Sequence, residues 1–169
     1  MAEATPTFGL RPMLPDDGPV LAEIYRESIV ELTGDDYDPA QQDAWAASAD
    51  DEEAFAEDLA GQLTLVAVFH QSPVGFASLE GNERIAMLFV HPAVVRQGIA
   101  TMLVDALEKL AAGRGATRLT TEASDTARPF FAGRGYVAER RETVIREGEW
   151  LGRTVMAKEL GGGQAGAGV

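Results

Sequence analysis

No stretch narrows the folds open to this chain as much as Leu88 to Ala112, LFVHPAVVRQGIATMLVDALEKLAA. Leu88, Phe89 and Val90 form a continuous apolar run, the pattern of a short buried strand. His91-Pro92 ends it, because proline lacks a ladder donor and restricts the residue before it. Beyond the loop, Ile99, Met102, Leu103, Ala106, Leu107 and Leu110 recur at i, i+3, i+4, i+7, i+8 and i+11, one apolar face of a helix. Between strand and helix lies Arg96-Gln97-Gly98-Ile99-Ala100-Thr101. Its glycine lets a ligand approach the backbone, and the first-turn amides of the helix have no intrahelical acceptor. Such a helix start suits an anion, a phosphate above all.

The flanking pattern supplies the other elements. Phe8 to Met13 alternates as a first strand, at an edge because of Pro12. Asp16 or Asp17 can cap a helix with Val20, Leu21, Ile24, Tyr25, Ile29 and Leu32 on one side, ended by Gly34. Asp35 to Pro39 is a loop, with Pro39 at the first position of a short helix over Gln41 to Ala47. Asp50 to Glu53 open a third helix, where the helix dipole favours carboxylates, with Phe55 and Leu59 inward. From Leu63 the period changes to two. Leu63 to Phe69 and Val74 to Leu79 flank a hairpin loop from His70 to Pro73, and Glu83 to Val90 follows a Gly81-Asn82 turn. After the central helix come a strand from Arg118 to Glu122, a helix from Asp125 to Arg134 closed by Gly135, and two strands, Tyr136 to Ile145 and Trp150 to Leu160. One domain over residues 1–160 is expected, with a Gly-rich, disordered tail over 161–169.

Charge and composition exclude several functions. A net charge of −13 argues against nucleic acid, which requires clustered Lys and Arg. Residues 1–82 hold 17 acidic and 2 basic side chains, whereas residues 83–169 hold 10 and 12. The nearly neutral second half suits a polyanionic cofactor; the acidic first half would draw a cationic partner, or simply keep the chain in solution. With no cysteine there is no disulfide, thiolate metal site or thiol nucleophile, and no metal is expected. The acidic N-terminus does not read as a signal peptide, and no apolar run reaches membrane-spanning length. A cytoplasmic protein without membrane attachment is expected.

The P-loop and dinucleotide glycine patterns are both absent. What remains is a strand, the loop Val95-Arg96-Gln97-Gly98-Ile99-Ala100, a helix, a strand, and then Ala123-Ser124-Asp125-Thr126-Ala127-Arg128-Pro129-Phe130-Phe131 with Gly135-Tyr136. This order, from Leu10 to Leu160, resembles the GNAT superfamily of acyl-CoA-dependent N-acetyltransferases. The family's loop pattern, Gln/Arg-x-x-Gly-x-Gly/Ala, is met except that Val95 stands first, and its second signature is met from Ala123 to Tyr136 at full spacing. Leu32 to Trp45, with Tyr37-Asp38-Pro39-Ala40-Gln41, is similar to the YafP-like branch.

The resemblance implies an α/β (α+β) GNAT fold: a mixed, mostly antiparallel sheet of six or seven strands flanked by four or five helices. It implies acetyl-CoA as acyl donor, with the pyrophosphate on the amides of Val95, Arg96, Gln97, Gly98, Ile99, Ala100 and Thr101. The pantetheine arm would lie along Leu88, Phe89 and Val90 as an added strand, near Ser124, Phe130 and Phe131. Arg96 would reach a phosphate or stay a solvated loop charge. Tyr37 and Trp45 would face the acceptor, a small amine or a protein amine of cationic character. An ammonium with pKa near 10.4 is neutral in only about one molecule in a thousand at pH 7, so a base is needed. Glu122 is the first candidate and Glu83 the second; His91 is the third, or a structural strand end. The family's acid is a tyrosine where this chain has Phe131. Tyr136 is then the nearby phenol, as acid or as a buried aromatic. Transfer by direct attack follows from the missing thiol nucleophile. The competing reading is a non-catalytic acyl-CoA-binding module. Trp150 and the last strand are open to pairing with a second copy.

Overall fold

The computed structural model describes residues 7–161. Except for Gly161, the expected disordered tail lies outside them. Seven strands, β1 (Phe8–Pro12), β2 (Leu63–Phe69), β3 (Ser72–Glu80), β4 (Arg84–Val90), β5 (Arg118–Ser124), β6 (Val137–Arg146) and β7 (Glu149–Glu159), form one sheet. The order across it is β1-β2-β3-β4-β5-β7-β6. Five helices accompany it: α1 (Gly18–Leu32), α2 (Pro39–Ala46), α3 (Glu52–Ala60), α4 (Ile99–Gly113) and α5 (Arg128–Gly133). Every pairing is antiparallel except β4 with β5, and the expected mixed sheet is the one observed.

Both faces of the central strands are covered, which explains their unbroken apolar runs. Leu65, Ala67, Ala77 and Leu79 pack with Leu103 and Leu107 of α4; Val66 and Phe76 pack with Leu21 and Ile24 of α1 and Leu59 of α3. Alternation along each strand divides the two cores. No helix of the described residues is long and apolar enough to cross a membrane.

Three local expectations are corrected. The β2–β3 hairpin turns on two residues, His70 and Gln71, both left-handed (φ 50° and 70°), so β3 begins at Ser72, Pro73 pairs with Val68, and the register shift at Ala67/Val68 leaves Val74 as an extra residue in β3. Helix α5 begins at Arg128 instead of Asp125, because the Ser124 side chain accepts from the Ala127 amide and closes a turn first. Asp17 does not cap α1 with its side chain. Its carboxylate accepts from the Leu14 amide (2.7 Å) and from both Arg11 terminal nitrogens (2.7 and 3.0 Å).

The Arg11 hydrogen bonds hold the Asp17 carboxyl below the usual carboxylate range. Its stabilising contribution is therefore fully present above the unfolded pKa of about 3.9 and is lost as pH falls through the lower folded value. Asp17→Asn should lower stability at pH 7 by about 1–3 kcal/mol. Thermal unfolding across pH should show that difference shrinking on acidification.

Candidate functional site

The site originates in a bulge. Ser78 pairs with Met87 and Leu79 with Ile85, so Ala86 is an extra residue in β4. A bulge bends its strand and increases the local twist. At that point β4 leaves β5: only Arg84 with Thr120 and Ile85 with Thr121 are paired, whereas β5 stays paired with β7 to Ser124. From Ala86 to Val90, β4 thus keeps β3 on one side and presents alternate unpaired backbone groups to the gap on the other.

A cleft of about 160 Å³ fills this gap. Ala86 to Phe89 and Thr121 to Ser124 line its two strand walls, and Tyr25, Trp45, Ala127, Phe131, Arg146 and Arg153 complete the lining. Val90 leads out of it through a single 3₁₀ turn, Pro92 to Val94, to the start of α4. Arg96 there is left-handed (φ 64°), as is Gly98 (φ 85°), the helix N-cap. The Met102 amide donates to the Gly98 carbonyl at 3.0 Å, leaving the helical amides ahead of it for another acceptor. A Cβ placed on Gly98 would meet no heavy atom within 4 Å, so open space faces the amides.

Among the described residues Glu122 is the one carboxylate lining this cleft. Its Oε1 accepts from Arg84 Nη1 at 2.7 Å and lies 3.8 Å from Arg153 Nη2. Among the described residues no side chain donates to Oε2. Arg153 in turn is held by Glu142, 2.5 Å from Nη2 and 2.6 Å from Nε. Charges therefore alternate across four strands, Arg84, Glu122, Arg153, Glu142.

Comparison with known proteins decides what this scaffold is. The family model for the acetyltransferase (GNAT) domain matches residues 33–160. This chain belongs to the GNAT acetyltransferase family. It is 34% identical over 142 residues to YafP of Escherichia coli K12, described as an uncharacterized N-acetyltransferase, covering 84% of this chain and 89% of that one. A GCN5-related N-acetyltransferase from Rhodopseudomonas palustris superposes with a TM-score of 0.89 at 56% identity, over 95% of this chain and 99% of that chain. The PaiA N-acetyltransferase of Thermoplasma acidophilum, solved with coenzyme A, shares the fold at a TM-score of 0.74 and 17% identity, over 90% and 99% of the two chains.

The second GNAT signature, 123–136, contributes Ala123, Ser124, Ala127 and Phe131 to the cleft, and the first, 95–100, lies in the loop that joins β4 to α4. Of the residues named from sequence, Leu88, Phe89, Glu122, Ser124, Phe131 and Trp45 line the cleft; Val90 packs against the α4 core, and the loop from Val95 to Thr101 joins β4 to α4. Several expected residues are elsewhere. Phe130 does not line the cleft but packs against the α4 core. The Glu83 side chain is exposed in the β3–β4 connection. His91 closes its own turn: Nδ1 accepts from the Ala93 amide, and Nε2 lies 2.7 Å from Glu27.

The Tyr136 hydroxyl donates to Glu108 Oε2 at 2.8 Å in the α4 core, where Lys158 holds the other oxygen. Burial, aided by Glu108, pushes that phenol far up, and it does not reach the cleft. Tyr37 is also displaced from its expected place. Its hydroxyl donates to the Gly152 carbonyl (2.7 Å) and accepts from the Asp125 amide (2.9 Å), tying the loop before α2 to β7 and to the signature turn. Tyr37→Phe should therefore destabilise the fold by about 1–3 kcal/mol, since it removes the partner of two half-buried backbone groups. Denaturant unfolding checks this, with the amine KM expected to change less than the midpoint.

Tyr25, Arg146 and Arg153 line the cleft but escaped the sequence reading. Tyr25 occupies an apolar helix face and its ring packs on Phe89, centroids 4.6 Å apart, which makes it read as core. Burial raises its phenol pKa, so it stays a donor at neutral pH. Arg146 reads as a turn residue. The expected acceptor-side acids behave differently again: none of the carboxylates between residues 35 and 58 lines the cleft.

Proposed function

We propose that this chain binds acetyl-CoA at the β4–β5 gap and the start of α4, and transfers the acetyl group to a primary amine by direct attack. The observation that carries this reading is the bulge at Ala86. It frees one edge of β4 and aims that edge at a helix start with unpartnered amides. The residues present fit such a donor: the amides from Arg96 to Thr101 suit its pyrophosphate, favoured by the α4 dipole. The edge of Leu88 to Val90 suits its pantetheine amides by strand addition. When bound, the donor supplies a thioester carbonyl open to attack by a neutral amine.

The chain's own residues do the rest. A β4 amide facing the gap polarises the carbonyl. Glu122 Oε2 receives the proton of the incoming ammonium, directly or through water, while Arg84 fixes Oε1. Phe131 has no hydroxyl with which to protonate the departing sulfur. Ser124 lines the cleft, and because its Oγ accepts from the Ala127 amide its hydrogen is free to point inward. It is the proposed donor.

Phe131 also favours a second reading, a module that binds acyl-CoA without turnover. Hydrogen exchange of the full chain tests the placement. Added CoA should slow the amides of residues 88–90 and 96–101 more than those elsewhere. Protection confined to another surface would overturn it.

A further inference from the structure

We infer that the amine accepted by this cleft carries an anionic group, a carboxylate or a phosphate, received by Arg146 while Glu122 receives the ammonium end. This rests on the acetyl-transfer reading and names its acceptor class. The lining carries the argument. In a protein of net charge −13, two arginines and one carboxylate line the cleft. The acidic N-terminal half, which suggested a simple cationic acceptor, contributes no carboxylate to it.

The two arginines are not equivalent. Arg153 is committed to Glu142 and approaches Glu122. Among the described residues, Arg146 alone of the charged groups lining the cleft has no ion-pair or hydrogen-bond partner. It ends β6 in register with Glu149, two and four positions beyond Val144 and Glu142, so it shares the sheet face of the Glu142–Arg153–Glu122 row. Tyr25, whose phenol it influences, lies beside it. A partly enclosed guanidinium with no carboxylate is poised for a planar anion, which it can bind through two parallel N–H groups.

The other end is matched. Both guanidiniums near Glu122 approach Oε1, leaving Oε2 for an ammonium. The cleft volume of about 160 Å³ is close to that of an engineered cavity that takes one benzene, ~150 Å³, so the acceptor is short. Amine and anion then belong to one small molecule of amino-acid size. A protein N-terminus, whose nearest carbonyl is an amide, lacks the second group.

The test uses the full chain and a panel of amino acids, each beside its carboxamide and its aminophosphonate analogue. Acetyl-CoA-dependent thiol release is followed together with ligand-induced thermal shift. The carboxylate or the phosphonate should exceed the carboxamide in kcat/KM by about 10- to 150-fold, the worth of a hydrogen bond to a charged group. Which anion is better identifies its source. Arg146→Gln should erase that preference with Tm and CoA affinity unchanged. Equal rates for acid and carboxamide, or a preference that survives in Arg146→Gln, would overturn the assignment while leaving acetyl transfer standing. If no amine turns over yet the anionic ones raise Tm in an Arg146-dependent way, acetyl transfer falls and the anion site stands. If neither occurs, both fall.

Discussion

Gly98→Val should weaken acetyl-CoA binding by about 10- to 150-fold, the loss expected when one hydrogen bond to a charged group is removed. The same change should lower Tm by only about 2–8 °C. The two effects separate because of where the side chain would go. Gly98 sits at φ 85°, and a left-handed residue with a Cβ costs about 1–2 kcal/mol. In a chain of this length each kcal/mol corresponds to about 2–4 °C. Beyond its chain neighbours no part of the protein crowds that Cβ within 4 Å, so strain is confined to the local backbone. The space it enters is the space proposed for the pyrophosphate. Calorimetric titration with acetyl-CoA beside thermal unfolding checks both numbers. A fall in Tm with unchanged affinity would place the pyrophosphate elsewhere.

Glu122→Gln should lower kcat/KM at neutral pH by about 10²- to 10⁴-fold, the range for loss of a positioned base. Acetyl-CoA affinity should hold, since Glu122 is no part of the surface proposed for the donor. A glutamine can still accept from Arg84 but cannot take a proton. The deficit should therefore narrow as pH rises toward the amine's own pKa, near 10.4 for a lysine-like acceptor, where deprotonation no longer needs the enzyme. A loss constant across pH would indicate that Glu122 only holds Arg84 and Arg153 in place. Glu83→Gln serves as the contrast: its side chain is exposed outside the cleft, and no change in rate is expected.

What could be read from the sequence was local. The α4 face, Gly98 at its cap and the spacing from Ala123 to Tyr136 depend on residues within a few turns of one another. They sufficed for the family. The bulge at Ala86 was not legible, because an extra residue in β4 exists only relative to its partner β3. Glu122 could be singled out, but its partners come from β4 and β7, 38 positions before and 31 after it in the chain. Tyr37 and Tyr136 misled for the same reason. A phenol near a signature looks reactive until the fold shows which backbone carbonyl or carboxylate it serves. Tyr25 is the converse, a residue on an apolar helix face that the splayed strands leave at the cleft wall.

The acceptor side shows how net charge can mislead. The acidic first half suggested attraction of a cation, yet among its described carboxylates Asp38 and Asp51 cap helices, Asp17 pairs with Arg11, Glu27 with His91, Glu52 with Arg26 and Glu80 with Arg84. Charge along the cleft is set instead by three residues from three different strands, Glu122, Arg146 and Arg153.

The central claim is that this cleft joins an acetyl group to an amine, and product stoichiometry tests it most directly. Incubation of the full chain with acetyl-CoA and a panel of small amines should release one CoA thiol for each N-acetylated amine detected by mass. Tight CoA binding with neither thiol nor acetylated product from any amine would contradict it and leave an acyl-CoA-binding module.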